Sequence, residues 1–149
     1  MFFKILCCVV LIGLVSTSAA GGMEFAKSHL QIIGKNGKHD FNVEIADVPE
    51  KHERGLMFRK HMPENSGMIF LFTQAHIVNM WMKDTYIPLD MVFIKNGGKI
   101  VKIVANSKPM SVNTISSDEK IVAVLELNSG ICEKLDIKKN DTIVFQGLQ

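Results

Sequence analysis

The sequence predicts a mainly β, single-domain fold: a β-sandwich or barrel-like closure of about seven or eight strands, with two short helices outside it. Three observations carry this. Apolar residues alternate, or run without interruption, over windows of strand length rather than at helical spacing. Turn-forming residues such as Asn36-Gly37 and Asn96-Gly97-Gly98 separate those windows. A chain of 149 residues is long enough for one real core and short for two.

Residues 1–20 form a separate unit. Lys4 is followed by an apolar run from Ile5 to Val15, then by Ser18 and Ala20 before Gly21. This is the pattern of a cleaved signal peptide. The run is shorter than the roughly 18 apolar residues of a spanning helix. Cys7 and Cys8 precede most of it, which disfavours a lipoprotein. The expectation is an exported, periplasmic protein with no membrane insertion after cleavage. Residues 21–28 read as a linker and 29–149 as the single domain.

In "HLQIIGKNGKHDFNVEIA", Phe41, Val43 and Ile45 alternate with polar residues across a tight turn, which predicts a β-hairpin. In "DVPEKHERGLMFR" the period changes. Asp47 and Glu50 have capping-box spacing, Pro49 suits a first turn, and Glu50 and Arg54 lie four apart. One short helix is expected, ending near Gly55. "GMIFLF" reads as a strand buried on both faces, and "HIVNMWM" and "LDMVFI" as two more. "KNGGK" turns into "KIVKIVA". The Ser- and Asn-rich stretch from Asn106 to Glu119 reads as a long loop, of a kind often functional or mobile. "KIVAVLEL" is a strand, "NSGICEKLD" a short helix capped by Asn128 or Ser129, and "DTIVFQ" the last strand.

Composition excludes some functions. Basic residues number 17 against 15 acidic, with no Lys/Arg-rich block, so the electrostatic footprint for nucleic acid is missing. Only Cys132 lies outside the leader, so no internal disulfide is expected. Near a helix start but without a His at motif spacing, Cys132 reads as a small buried residue. No phosphate loop, nucleophile elbow or cofactor motif appears.

The unusual residues sit in and around "NMWMKDTYIPLDMVFI". Asp90 shares a strand face with Val92 and Ile94, and Glu126 shares one with Val122 and Val124. Burying an unpaired carboxylate is expensive, so each acid needs a partner or an opening. Arg54, Arg59 and Lys83 are the candidate partners. With Trp81, Asp84 and Thr85 they define one candidate site: Arg54, Arg59, Trp81, Lys83, Asp84, Thr85, Asp90 and Glu126. The set reads either as ion pairs holding the fold or as a polar-lined pocket with Trp81 as its wall. A hydrolase reading needs the Asp90 and Glu126 carboxyls in one cavity, roughly 5–9.5 Å apart. A copper reading places Met62, Met68 and Met80 with His61 and His76 at a surface Cu(I) site; the alternative is that the methionines fill the core.

"ERGLMFRK", "GMIFLF", "WMKDTYIPLDMVFI" and "VLELNSG" occur in the order found in the uncharacterised prokaryotic family known as domain of unknown function 192, which the chain closely resembles from about Leu30 to Phe145. The resemblance implies a compact, mainly β protein of sandwich type, often exported and without an established activity. Its signature falls here on Arg54, Gly55, Leu56, Met57, Arg59, Gly67, Met68, Trp81, Met82, Lys83, Thr85, Pro88, Leu89, Asp90, Glu126 and Gly130. Two positions depart from it, with Asp84 for the usual Asn and Asn140 for the usual Gly. The functional expectation is a non-enzymatic module that binds a small polar ligand or an envelope protein, with no cofactor and no metal. The alternatives are a domain whose polar cluster only stabilises the fold, and a Cu(I)-binding periplasmic protein.

Overall fold

The computed structural model describes residues 23–148, so the expected signal peptide lies outside the described residues. Nine strands form. They are β1 (Ala26–Gly34), β2 (Gly37–Ala46), β3 (Ser66–His76), β4 (Asn79–Met80), β5 (Leu89–Lys95), β6 (Lys99–Ser107), β7 (Ile115–Ser116), β8 (Ile121–Asn128) and β9 (Thr142–Val144). Two helices accompany them, α1 (Pro49–Arg54) and α2 (Ile131–Lys134). Strand β1 begins inside the stretch read as a linker, pairing Ala26 with Ile45.

Seven strands close into a barrel in the order β1-β2-β3-β8-β5-β6-β9, with β9 returning to β1. The mainly β class is as expected, and closure selects the barrel over the two-sheet sandwich. A closed barrel leaves no sheet edge to protect. Most pairs are antiparallel; β2 and β3 run parallel, joined by a crossover containing α1. The β5–β6 turn depends on Gly98. Its φ is +76°, and a Cβ there would lie 1.9 Å from the Ile143 carbonyl oxygen, so glycine lets β9 approach and the barrel close.

Two apolar layers result. Inside the barrel pack Leu30, Ile32, Phe41, Val43, Ile69, Val92, Ile94, Ile100, Leu125, Leu127 and Ile143. Outside it, Met68, Phe70, Leu89, Met91, Phe93 and Val124 pack beneath Leu56, Met62, Val78, Met82 and Ile87. This explains the unbroken runs. β5 has the barrel interior on one face and the covering loops on the other, so Leu89 to Ile94 are all buried. The long segment after β6 is stitched to this cover. Met82 N–H donates to the Ser111 carbonyl (2.9 Å), and Met110 N–H to the Thr85 carbonyl (3.1 Å).

Three local expectations need correction. "HIVNMWM" is not one strand: β3 runs on to His76, and only Asn79–Met80 pairs, with Ile115–Ser116 of β7. The α1 capping box does not form. Val48 occupies the N-cap with no side-chain cap, Asp47 instead pairs with Lys51 at 3.0 Å, and the Arg54 guanidinium lies over the Phe58 ring, 4.8 Å from its centroid. Neither expected residue caps α2, whose N-cap is Gly130. Asn128 Nδ2 donates to the Met62 and Pro63 carbonyls, and Ser129 Oγ to Asn106 Oδ1.

The Ser107 hydroxyl at the end of β6 is buried without a hydrogen-bond partner among the described residues. An unpaired buried hydroxyl opposes folding. Ser107→Ala should therefore raise stability by about 1 kcal/mol, read as a higher midpoint in urea with an unchanged slope.

Candidate functional site

The two anomalous acids are not neighbours. Across β5 and β8, Asp90 is opposite Leu127 and Met91 is opposite Glu126. Cross-strand partners share a sheet face. Leu127 belongs to the barrel interior and Met91 to the outer layer. Asp90 therefore points inward and Glu126 outward. Two carboxyls on opposite faces cannot flank one scissile bond, which rules out the paired-acid hydrolase arrangement.

Asp90 is fully buried. Its Oδ2 accepts the Cys132 N–H at 3.0 Å, and its Oδ1 accepts the Asn106 N–H at 3.0 Å. It thus supplies, from a distant strand, the acceptor that Gly130 lacks at the start of α2. Burial, with Asp90 beside it, pushes the Cys132 thiol up to about 12, leaving it an inert core group.

Glu126 is 4% exposed and makes no ion pair or side-chain hydrogen bond among the described residues. Burial alone pushes its carboxyl up to about 8. It lines a cavity of about 290 Å³ between the outer face of the barrel and its cover. The other lining residues are His52, Glu53, Arg54, Gly55, Leu56, Met57, Phe70, Phe72, Val78, Asn79, Met80, Trp81 and Thr85. The volume is at the lower end for small-molecule sites, and the mix of apolar walls with few polar groups is typical of them.

Local geometry holds these walls. Pro49 starts α1, and Gly55 ends it at φ +42°, where a Cβ would press on the Phe70 ring at 3.2 Å. His52 Nε2 lies 3.0 Å from both the Ala46 and Leu71 carbonyl oxygens. Carbonyls only accept, so the proton sits on Nε2 and the ring is held against Phe72, at 4.9 Å between centroids. Thr85 is buried, and its hydroxyl donates to the Lys83 carbonyl at 3.0 Å. Trp81 is exposed at the cavity wall, and Phe58, Tyr86 and Met110 are exposed outside the lining, with the Phe58 and Tyr86 rings 6.3 Å apart between centroids. Phe58, Asp84 and Met110 hold positive φ, and Phe58 N–H donates to the Asp84 carbonyl at 2.8 Å.

Of the eight residues read as one site, the structure brings Arg54, Trp81, Thr85 and Glu126 to this cavity. Lys83 stands outside the lining, with its ammonium 5.4 Å from the Trp81 ring centroid, and Asp84 serves the loop backbone. Arg59 is elsewhere. It forms a fork with Glu44, at 2.9 and 2.5 Å, beside a second cavity of about 540 Å³. Neither Asp90 nor Glu126 takes a charged partner from Arg54, Arg59 or Lys83. The fork is partly exposed, so Arg59→Ala should lower stability by only about 1 kcal/mol in chemical denaturation. Sequence reasoning missed His52, Leu56, Met57, Phe70, Phe72, Val78 and Met80 as cavity walls. The apolar character of Leu56, Met57, Phe70, Phe72 and Val78 signalled burial only, His52 carried no motif, and Met80 reads only as a thioether ligand or a core residue.

The copper expectation is not matched in geometry. Met62 and Met68 are buried in the outer layer, so the surface thioether site does not form, and Met80 is a partly buried cavity wall. Among the described residues no group of three or more His, Cys, Asp or Glu side chains is placed to hold a metal ion. Met80→Leu, a volume-conserving change, should cost under about 1.5 kcal/mol. It should leave Cu(I) competition assays unchanged.

Residues 31–145 match the model of the family DUF192, described as "Uncharacterized ACR". No curated protein matches the chain. Two solved structures are similar. A proposed transcription regulator from Sinorhizobium meliloti 1021 is 41% identical, with a TM-score of 0.84, over 86% of this chain and all of the other. A protein of unknown function from Novosphingobium aromaticivorans DSM 12444 is 32% identical, with a TM-score of 0.78, over 80% of this chain and 85% of the other.

Proposed function

This chain belongs to the DUF192 family, and we propose that it is a non-enzymatic module that binds a small molecule in the cavity floored by Glu126. One observation carries the reading: a carboxyl that is buried, unpaired among the described residues and open to a cavity with otherwise mainly apolar walls. Such a group opposes folding unless something else uses it. The larger cavity beside Arg59 has no comparable group, because Arg59 and Glu44 satisfy each other. The leader pattern supports an exported setting for this binding. The near balance of basic and acidic residues gives no support to carrying over a role in transcription regulation through nucleic-acid contact from the name of the Sinorhizobium relative.

Trp81 is the only tryptophan and lines the cavity, so it reports occupancy directly. Titration with a library of small, mainly apolar compounds should change its emission saturably for some members. Glu126→Ala should weaken those at least tenfold. Ligands that bind this variant as tightly as the wild type would place the site elsewhere.

A second reading, docking of an envelope protein, is favoured by the exposed apolar residues Trp81 at the cavity wall and the neighbouring pair Phe58 and Tyr86. It predicts that Tyr86→Ala, outside the cavity lining, breaks complexes captured by crosslinking while small-molecule titrations stay unchanged.

A further inference from the structure

We propose that the cavity takes a small neutral amide with an apolar body, its carbonyl oxygen held by Glu126 acting as a protonated acid. The inference rests on the binding-site reading above and adds the ligand's chemistry. It starts from what surrounds Glu126. Opposite it on the neighbouring strands are Met68 and Met91, which carry no charge. From α1 come His52, Glu53 and Arg54, and from the loop before β5 come Lys83 and Asp84. The cations among these are engaged elsewhere: Arg54 over Phe58, Lys83 over Trp81, and the His52 Nε2–H on two backbone carbonyls. A buried carboxyl without a cation is held neutral, and the upward displacement to about 8 agrees. At neutral pH it presents an O–H donor and a carbonyl acceptor side by side.

Thr85 narrows the choice. Its hydroxyl proton is committed to the Lys83 carbonyl, so in this cavity its oxygen can only accept. One donor and two acceptors at a small apolar site match a C=O beside an N–H. An ammonium would require Glu126 to ionise and would share the cavity with the Arg54 guanidinium. A carboxylate would be stripped of water against mainly apolar walls and would lie beside the Glu126 carboxyl. The neutral amide avoids both penalties.

The test uses benzamide, benzylamine and benzoate as probes on the folded wild-type chain, read by Trp81 emission and by the methyl NMR signals of Met57 and Met80. Benzamide should bind at pH 6.5, and its affinity should fall about 30-fold by pH 9.5 as Glu126 loses its proton. Glu126→Gln keeps an N–H donor, so it should still bind benzamide, with the pH dependence gone. The variant and the wild type are compared for fold by circular dichroism. Benzylamine binding that tightens as pH rises, or preferential binding of benzoate, would overturn the amide class and leave the binding site standing. So would benzamide binding by the wild type that ignores pH. If none of the three moves either signal at millimolar concentration, both the class and the binding-site reading fail.

Discussion

Asp90→Ala is expected to destabilise the domain by about 3–5 kcal/mol, more than either Arg59→Ala or Met80→Leu. The change strands the buried Cys132 N–H and removes the acceptor of the Asn106 N–H, both bonded at 3.0 Å. A hydrogen bond to an acidic side chain contributes roughly 1.5–3 kcal/mol, and a buried donor left unpaired costs roughly 1–3 kcal/mol. The Asn106 contact is only partly buried, so water can replace it and the full sum is not reached. Asp90→Asn keeps one acceptor and should recover about half of the loss. Urea denaturation of the three proteins decides this. A loss under about 1 kcal/mol for Asp90→Ala would mean that water reaches α2 and that the inward cap is not structural. Trp81 titrations should be unaffected wherever the variant remains folded, because Asp90 faces away from the cavity.

Glu126 should show itself through pH. Burial raises its carboxyl from 4.5 to about 8. Below pH 4.5 the group is protonated in both folded and unfolded chains, so its contribution is fully present. As pH rises from 4.5 to 8 the unfolded chain gives up the proton and the folded chain keeps it. Stability is therefore lost across that window, on the order of 4–5 kcal/mol at the top of it. Glu126→Gln cannot ionise and should lack this decline. Denaturation of both proteins at pH 4.5 and pH 8 should show the variant gaining on the wild type by that amount. Parallel pH profiles would show that the carboxyl is solvated or paired in the fold. A neutral amide in the cavity should oppose the decline, because it binds only the folded, protonated form.

Much of the barrel was legible because strands report their own two faces. The alternation in "LDMVFI" separated Leu89, Met91 and Phe93 from Asp90, Val92 and Ile94, and those sets do lie in different layers. Closure was not legible, since β9 meets β1 across most of the chain and nothing local marks that pairing. Helix caps were misread for a related reason. A motif search looks next to the helix, whereas Asp90 reaches α2 from 42 residues away. Both acids stood out as anomalies, but whether they share a face depends on the β5–β8 register. Shifting one strand by a single residue would have reversed the answer.

The two departures from the family pattern have a common backbone cause. Asp84 has φ +51° and Asn140 φ +79°, so each occupies a left-handed position. Asn, Asp and Gly tolerate that region best. Asp for Asn and Asn for Gly therefore preserve the turn, and neither bears on the cavity lining. Trp81 stood out in the sequence as a pocket wall, whereas the exposure of Phe58 and Met110 did not. Both look like core material, yet each holds positive φ in a loop and is exposed.

The cavity beneath Trp81 should hold a small molecule. Mass spectrometry decides this on the intact protein, purified under non-denaturing conditions from its native compartment, beside a Met80→Trp variant whose larger side chain is introduced at the cavity wall. One small molecule per chain is expected on the wild type and none on the variant, with both chains folded. A wild type that carries nothing and binds none of the screened compounds, or a molecule retained equally by the variant, would show that this cavity is not a binding site.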